Sequence, residues 1–269
     1  MTVSYDKYEF IKVENREGIA TVTLNRPELL NAVNPEVHAE LEYIFIDIAR
    51  DESIDVVVLT GAGRAFSAGG DIKRMAERAG TQAGFDYAIR VPEKTRRIYN
   101  SLLEVEQPII AAINGDAIGL GANIALFCDI SIAAQTARIG DTHVKVGLVA
   151  GDGGAIIWPL LVGPQRAKEF LMRGMLLKGE DAAQIGLVNH AVPAEEVMAK
   201  AYAIAQELAA LPKWAVRWTK LSMNKNLKQQ LNLTLDTSIS YEALSMQTYD
   251  YGEAARAFAE KRKPVFKGR

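Results

Sequence analysis

The 269-residue sequence contains one cysteine, Cys128, and three histidines. A single cysteine excludes an internal disulfide framework and a cysteine-rich zinc site. The histidines, His38, His143 and His190, show no spacing that is typical of metal ligands. We therefore expect no bound metal ion.

An excess of charge of one sign and long apolar runs are also missing. The 31 basic and 33 acidic residues give a formal net charge of -2, and such a balance provides no broad positive field for polynucleotide phosphates. No run of about eighteen apolar residues occurs, and the first ten residues do not form a basic-then-apolar signal segment. We expect a cytoplasmic protein with neither a nucleic-acid nor a membrane partner.

The sequence lacks a complete nucleotide-binding motif. Residues 61–63 and 119–121 each begin the pattern G-x-G, but the sixth positions are Phe66 and Ile124 rather than glycine or alanine. The pattern G-x-x-x-x-G-K does not occur either. NAD and ATP are therefore not expected as cofactors.

The size and hydrophobic content, 29.4 kDa and 49%, suffice for one large core. Short apolar runs rich in β-branched residues predict buried strands at 19–24, 56–60, 109–113 and 130–134. Helical patterns separate most of them, beginning with a helix start at Asn34-Pro35. This alternation predicts an α/β core with right-handed crossovers, which we assign to residues 1–192. The sequence from 193 to 269 is helical almost throughout and predicts a C-terminal oligomerisation subdomain.

Two glycine-rich turns, 65–71 and 114–122, each follow a short apolar run. Glycine allows a backbone N–H to approach a ligand without a side chain in the way, and an N–H at a helix start points outward unpaired. We interpret the two turns as the halves of one oxyanion hole that holds a developing enolate.

Further motifs follow in a fixed order over nearly the whole chain. They are Asn25-Arg26-Pro27, Leu30-Asn31-Ala32, residues 64–72, residues 108–115, Cys128-Asp129-Ile130, Gly147, Gly151, Gly153-Gly154, Gly186-Leu187-Val188 and residues 260–266. This ordered set resembles the crotonase, or enoyl-CoA hydratase/isomerase, superfamily. The resemblance implies a spiral core of ββα units, an acyl-CoA substrate and no cofactor apart from the coenzyme A of that substrate.

The resemblance also implies roles for individual residues. The backbone N–H groups of Gly70 and Leu120 would hold the thioester oxygen, where the loss of one donor typically costs roughly 2.7–4 kcal/mol. Coenzyme A would contact residues of the first turn and, from a neighbouring subunit, residues near the C-terminus; these are Arg64, Ala65, Ser67, Ala68, Asp71, Phe258 and Lys261. The expected assembly is a homotrimer or a dimer of trimers.

Two positions depart from the hydratases of this superfamily, which carry glutamates where this chain has Asn123 and His143. An asparagine can hydrogen-bond a water but cannot take its proton. His143 has a possible partner in Asp152, and a His-Asp pair can provide a general base near neutral pH. The spacing of this pair is similar to that in the β-diketone hydrolases of the superfamily. His38, beside an apolar helical stripe, is expected at the surface or at the edge of the core.

Three classes of function remain open. The first is an acyl-CoA enzyme in which His143 is the acid/base, Asp152 orients it and Asn123 positions water or substrate. For this class the His-Asp pair favours hydrolytic C–C cleavage of a 3-oxoacyl-CoA, and the alternative is hydration or isomerisation of an enoyl-CoA. The second is a serine hydrolase, because residues 65–69 around Ser67 match the motif G-x-S-x-G at every position except the first. The third is a non-catalytic acyl-CoA-binding protein.

Overall fold

Two β-sheets form the centre of the computed structural model, which describes residues 3–269. The strands are β1 (Ile11–Arg16), β2 (Ile19–Leu24), β3 (Val56–Gly61), β4 (Ala65–Ser67), β5 (Ile109–Ile113), β6 (Asp116–Ile118), β7 (Ile130–Ala134), β8 (Arg138–Gly140), β9 (Leu177–Lys178) and β10 (His190–Val192). The larger sheet has the order β1-β2-β3-β5-β7-β10, and the smaller sheet has the order β4-β6-β8-β9.

The helices surround these sheets. They are α1 (Pro35–Arg50), α2 (Ile72–Arg78), α3 (Gln82–Glu104), α4 (Leu120–Phe127), α5 (Gly154–Val162), α6 (Pro164–Arg173), α7 (Gly179–Gln184), α8 (Val197–Ala209), α9 (Lys213–Ser245) and α10 (Tyr249–Ala259). Short 3₁₀ helices span Pro27–Leu29, His143–Val146 and Ala194–Glu196. No helix among residues 3–269 is both long and apolar enough to span a bilayer.

The chain repeats one path between the sheets. It passes from a strand of the larger sheet to a strand of the smaller one and then into a helix, as β3-β4-α2, β5-β6-α4 and β7-β8 followed by the 3₁₀ helix at His143. Strands β2, β3, β5, β7 and β10 are parallel, and only β1 pairs antiparallel within the larger sheet of the described chain. The predicted α/β class built from ββα units is confirmed.

Continuous apolar runs explain the central strands. Strands β3 and β5 are buried along their whole length, as expected for parallel strands covered on both faces. Three of the four predicted strands have the predicted bounds, and the strand predicted at 56–60 extends to Gly61. The predicted helix start is also present, because the Asn34 side chain accepts a hydrogen bond from the Val37 backbone N–H at 2.9 Å.

The C-terminal helices lie directly on the core. No strand occurs in the described residues after Val192, which agrees with the predicted helical content of 193–269. However, α8 packs on β2, β3, β5 and β7, while α9 packs against α3 and α5 and α10 against α2. The packing of α8 on the larger sheet shows that this region shares the core of residues 1–192. The predicted division into two domains stays a prediction.

Helix α9 is fixed to the core by buried polar contacts near its start. Lys220 Nζ lies 2.7 Å from Asp129 Oδ2 and donates to the carbonyl of Gln107 at 2.8 Å. The Arg217 guanidinium donates to the carbonyl of Ile54 at 2.8 Å. The far end of this 33-residue helix contacts the loop after the 3₁₀ helix at His143, through hydrogen bonds of Ser238 and Glu242 to Gly151.

Candidate active site

The two glycine-rich turns meet at positions that require glycine. Gly69 has φ of +78°, and a Cβ there would lie 2.6 Å from the carbonyl oxygen of Ile118 in the other turn. Gly119 has φ of +53°, and a Cβ there would lie 3.2 Å from Cε1 of His143. Any side chain at Gly69 would therefore separate the turns, since real Cβ atoms do not approach backbone oxygens so closely.

Each turn presents a backbone N–H to one cavity. Val33 donates to Gly69 O at 2.7 Å and accepts from the Asp71 N–H at 3.2 Å, so that the Gly70 N–H between them makes no hydrogen bond within residues 3–269. Leu120 is the first residue of α4, where the N–H has no intrahelical partner. Both residues line the same cavity. The structure brings the two together, and their oxyanion role stays a prediction.

His143 lies between two carboxylates beside this cavity. Its Nδ1 is 2.5 Å from Asp141 Oδ1, and its Nε2 is 3.2 Å from Asp152 Oδ2. Asp141 directly follows β8, and Asp152 is held in the loop before α5, where its carbonyl accepts a hydrogen bond from the Tyr99 hydroxyl. The predicted contact of His143 with Asp152 is therefore present, together with a closer contact to Asp141.

The Asn123 side chain hydrogen-bonds to both of these carboxylates. Its side chain is fully buried, and its Nδ2 donates to Asp141 Oδ2 at 2.9 Å and to Asp152 Oδ1 at 2.8 Å. Its Oδ1 accepts from Trp158 Nε1 at 3.1 Å. The prediction that Asn123 positions water or substrate does not fit this placement, because both amide hydrogens are already donated within the cluster.

The charges of the cluster decide the protonation of His143. Burial opposes a charged ring, but the adjacent carboxylates of Asp141 and Asp152 outweigh burial and raise the pKa of His143 well above its ordinary value. Burial likewise opposes ionisation of Asp141, yet the His143 charge and hydrogen bond lower the pKa of that carboxyl. The raised pKa disfavours the neutral ring that a general base at neutral pH requires, and the predicted acid/base role of His143 stays a prediction.

Glu242 is a further acidic residue of the cavity wall. It lies on α9, is 4% exposed, and its Oε2 accepts a hydrogen bond from the Gly151 N–H at 3.2 Å. Burial, with repulsion from Asp152, raises the pKa of Glu242 well above its ordinary value. Glu242 therefore carries a proton under conditions in which an exposed glutamate has lost it.

Two functional residues were missed in the sequence. Asp141 could have been found from its position two residues before His143. Glu242 gives no local signal, since it stands 91 residues from its partner Gly151 in a helix with many exposed polar residues.

His38 also lines the cavity, beside the apolar stripe of α1. It is buried, and its Nδ1 lies 3.5 Å from Glu42 Oε1. Glu42 and His38 lie one turn apart on the covered side of α1, which brings their side chains together.

Ser67 is excluded as a nucleophile. The side chain is fully buried in β4, and its Oγ donates to the Asn31 carbonyl at 2.9 Å and accepts from the Gly69 N–H at 3.2 Å. The serine-hydrolase alternative is therefore wrong, because the hydroxyl reaches neither the cavity nor a histidine. Ser67 instead shapes the first glycine-rich turn.

The other predicted coenzyme A contacts differ in exposure. Ala65 is buried, Ala68 is half-buried and Arg64 is exposed at the turn before β4. Asp71 caps α2 by accepting from the Arg74 N–H at 3.3 Å, and it lines the cavity. Their contacts with coenzyme A stay predictions.

Phe258 and Lys261 lie at the end of α10 and are exposed. Neither lines the cavity of its own chain. This placement is compatible with the predicted contact to a neighbouring subunit, which also stays a prediction.

One group in the described chain has the spacing of a metal site. Ligand atoms of Asp141, His143 and Asp152 lie within 4.8 Å of one another. The same atoms already bind each other and Asn123. An ion would have to displace the imidazolium from between two carboxylates that compensate its charge.

Comparison with known proteins identifies the class to which this fold and cavity belong. A family model described as enoyl-CoA hydratase/isomerase matches residues 14–269. The chain belongs to this family, and the crotonase resemblance and fold predicted from the sequence are confirmed.

Individual relatives cover nearly the whole chain. It is 36% identical to a short-chain-enoyl-CoA hydratase of Clostridium acetobutylicum over 93% of this chain and 95% of that protein. It is 35% identical to a 1,2-epoxyphenylacetyl-CoA isomerase of Escherichia coli K12 over 97% and 99%, respectively. A solved enoyl-CoA hydratase/isomerase structure from Mycobacterium paratuberculosis is 35% identical, has a TM-score of 0.88, and covers 94% of this chain and 99% of its own. Membership supports an acyl-CoA enzyme.

Proposed function

We propose that this protein hydrates a 2-enoyl-CoA, with Asp152 and Glu242 as the proton-transfer groups. The observation that carries the proposal is the presence of two carboxyl groups on one cavity wall that also contains Gly70 and Leu120. The two groups are held close together, because Glu242 accepts a hydrogen bond from the N–H of Gly151, the residue before Asp152. Glutamates absent at positions 123 and 143 are thus replaced by carboxyls from elsewhere in the fold.

The thioester oxygen is the first recognition point. In the proposed complex, the N–H groups of Gly70 and Leu120 donate to this oxygen and stabilise the negative charge that develops on it. The adjacent His143 imidazolium compensates the negative charge of Asp152, from which it is separated by 3.2 Å. The enolate therefore meets less electrostatic repulsion from Asp152 than it would from an unpaired carboxylate.

Addition of water then needs one base and one acid. Asp152 takes a proton as the water oxygen bonds to Cβ, while the electrons of the double bond move toward the thioester oxygen. Glu242, whose pKa is raised by burial, donates its proton to Cα and completes the 3-hydroxyacyl product. Proton exchange with solvent returns Asp152 to the carboxylate and Glu242 to the acid.

Isomerisation of an enoyl-CoA is the second candidate. A shift of the double bond requires only one group that removes a proton at one carbon and returns it at another, and either carboxyl has this chemistry. The family description, which names isomerases beside hydratases, favours this alternative. Hydrolytic cleavage of a 3-oxoacyl-CoA ranks below both, because the raised pKa of His143 disfavours the neutral base on which that prediction depended.

Product analysis separates these reactions. A 2-enoyl-CoA, a 3-enoyl-CoA and a 3-oxoacyl-CoA of equal chain length are incubated separately with the protein, and products are identified by mass spectrometry. We expect a gain of one water from the 2-enoyl-CoA and an intact thioester. Cleavage of the 3-oxoacyl-CoA with no reaction of either enoyl-CoA would refute the proposal.

We also propose that the chain assembles as a homotrimer or a dimer of trimers. Support comes from an apolar groove between α5 and α9, where Leu160 is 50% and Met223 is 69% exposed. Contiguous apolar surface of this kind favours association. Sedimentation velocity should give a trimer or hexamer, and a stable monomer at micromolar concentration would refute this assembly.

A further inference from the structure

Arg78, the last residue of α2, is a cation of the cavity wall without an acidic partner. Its guanidinium carbon lies 4.4 Å from the ring centroid of Tyr87, and within residues 3–269 no carboxylate forms an ion pair with it. Arg74, one turn earlier, is instead paired with Glu77 at 3.1 Å. The half-buried Arg78 therefore retains free donors beside the cavity.

Two phenols accompany this guanidinium. Tyr87 and Tyr251 line the same cavity, and the Tyr87 hydroxyl interacts with the Arg78 guanidinium. Burial is the main cause that raises the pKa of Tyr87 to about 12 and also raises that of Tyr251, while the charge of Arg78 acts on both phenols in the opposite direction. Both phenols are thus hydrogen-bond donors close to one cation.

These donors are poorly matched to an alkyl chain. An alkyl group over Arg78, Tyr87 and Tyr251 would remove water from a guanidinium and two hydroxyls without replacing their hydrogen bonds. A carboxylate can accept from all three, and its hydrogen bonds with a guanidinium are among the stronger ones in proteins. Glu242 opposes such an anion only weakly, because its raised pKa keeps it protonated.

We propose that the acyl group of the substrate carries a carboxylate, which Arg78, Tyr87 and Tyr251 bind. This inference rests on the proposed function, since it requires an acyl-CoA in this cavity. A phosphate of coenzyme A is the other anion that Arg78 could meet. The acyl carboxylate is favoured, because Tyr251 is only 6% exposed and Arg78 influences it from within the cavity that also contains Asp152 and Glu242.

Binding of unreactive thioesters tests the inference without turnover. Calorimetry compares saturated acyl-CoAs that end in a carboxylate with those that end in a methyl group, at several matched chain lengths. We expect one carboxylated length to bind about 10- to 100-fold more tightly than its methyl counterpart. Arg78→Gln should abolish this ratio and Arg78→Lys should keep part of it. The control Lys73→Gln, at an exposed cation of the same helix that does not line the cavity, should leave the ratio unchanged.

The outcomes separate the inference from the function on which it rests. Equal affinity for both series at every length, or a ratio that Arg78→Gln leaves intact, would overturn the carboxylate proposal. An equal loss in both series would assign Arg78 to coenzyme A and overturn it as well. If the binding ratio is found but no enoyl-CoA is turned over, the carboxylate site stands and the proposed hydration fails.

Discussion

The Gly151 backbone N–H donates a 3.2 Å hydrogen bond to Glu242, and this bond joins the loop that carries Asp152 to helix α9. Ser238, one turn before Glu242, donates in the opposite direction to the Gly151 carbonyl at 2.9 Å. Gly151 is thus held by one helix through both of its backbone polar groups. Glu242 is placed in the active cavity by the fold as a whole, and its chemistry can be tested separately from its packing.

Glu242→Gln should lower turnover of a 2-enoyl-CoA by about two to four orders of magnitude, because the amide keeps an acceptor for the Gly151 N–H but has no acidic proton. The affinity for a saturated acyl-CoA should change little. Asp236→Asn is the control, since Asp236 lies on the same helix and is exposed with an ion pair to Arg96 at 2.7 Å. Full activity of Glu242→Gln would remove Glu242 from the reaction.

The stability of the protein should depend on pH through Glu242. Its folded-state pKa lies above the ordinary 4.5, so the folded state holds a proton that the unfolded state releases. This contribution to stability is complete below pH 4.5 and is lost as pH rises through the folded-state pKa. Urea unfolding across this range should show a smaller decline for Glu242→Gln than for the unsubstituted protein. An identical decline would contradict the raised pKa.

His143→Gln should destabilise the fold by about 3–5 kcal/mol at neutral pH, because Asp141 and Asp152 would lose the cation between them. The folded-state pKa of His143 is raised above 6.5. Its contribution to stability is therefore present below pH 6.5 and disappears as pH rises through the folded-state pKa. Denaturant titrations should therefore show the largest difference between the two proteins on the acidic side. A constant difference at all pH values would indicate a neutral histidine.

Much of this arrangement was predictable because it depends on local patterns. The runs at Ile109–Ile113 and Ile130–Ala134 predicted buried strands, and the sequence offered Asp152 as a possible partner of His143, which the structure places 3.2 Å away. The protonation of His143 was not predictable, since it requires two carboxylates to meet one buried ring. Glu242 and the unpaired Arg78 were also not predictable, because only the packing of α9 and α2 brings them to the cavity.

Asn123→Ala should impair activity through the positions of the carboxylates. Its Nδ2 donates to both Asp141 and Asp152, so its removal leaves two buried acceptors with one partner fewer and should cost about 1–3 kcal/mol of stability. Turnover should fall while saturated acyl-CoA binding is retained. Comparable loss of binding and turnover would instead favour a direct contact with the substrate. Calorimetry and steady-state kinetics on one preparation distinguish these results.

Gly119→Ala should abolish catalysis by crowding the His143 ring, and Gly186→Ala is the control for backbone strain. Gly119 and Gly186 both have positive φ, +53° and +78°, so alanine strains the backbone at either position, and the ψ of −127° at Gly119 adds to the strain there. Only the Cβ at Gly119 meets a neighbour, Cε1 of His143 at 3.2 Å, whereas nothing lies within 4 Å at Gly186. Gly119→Ala should therefore lose more stability in denaturant unfolding than Gly186→Ala, and turnover of a 2-enoyl-CoA by the folded protein should be lost only in Gly119→Ala. Equal activity in the two variants would show that the His143 ring and the Leu120 N–H tolerate displacement, and it would contradict a catalytic role for this turn.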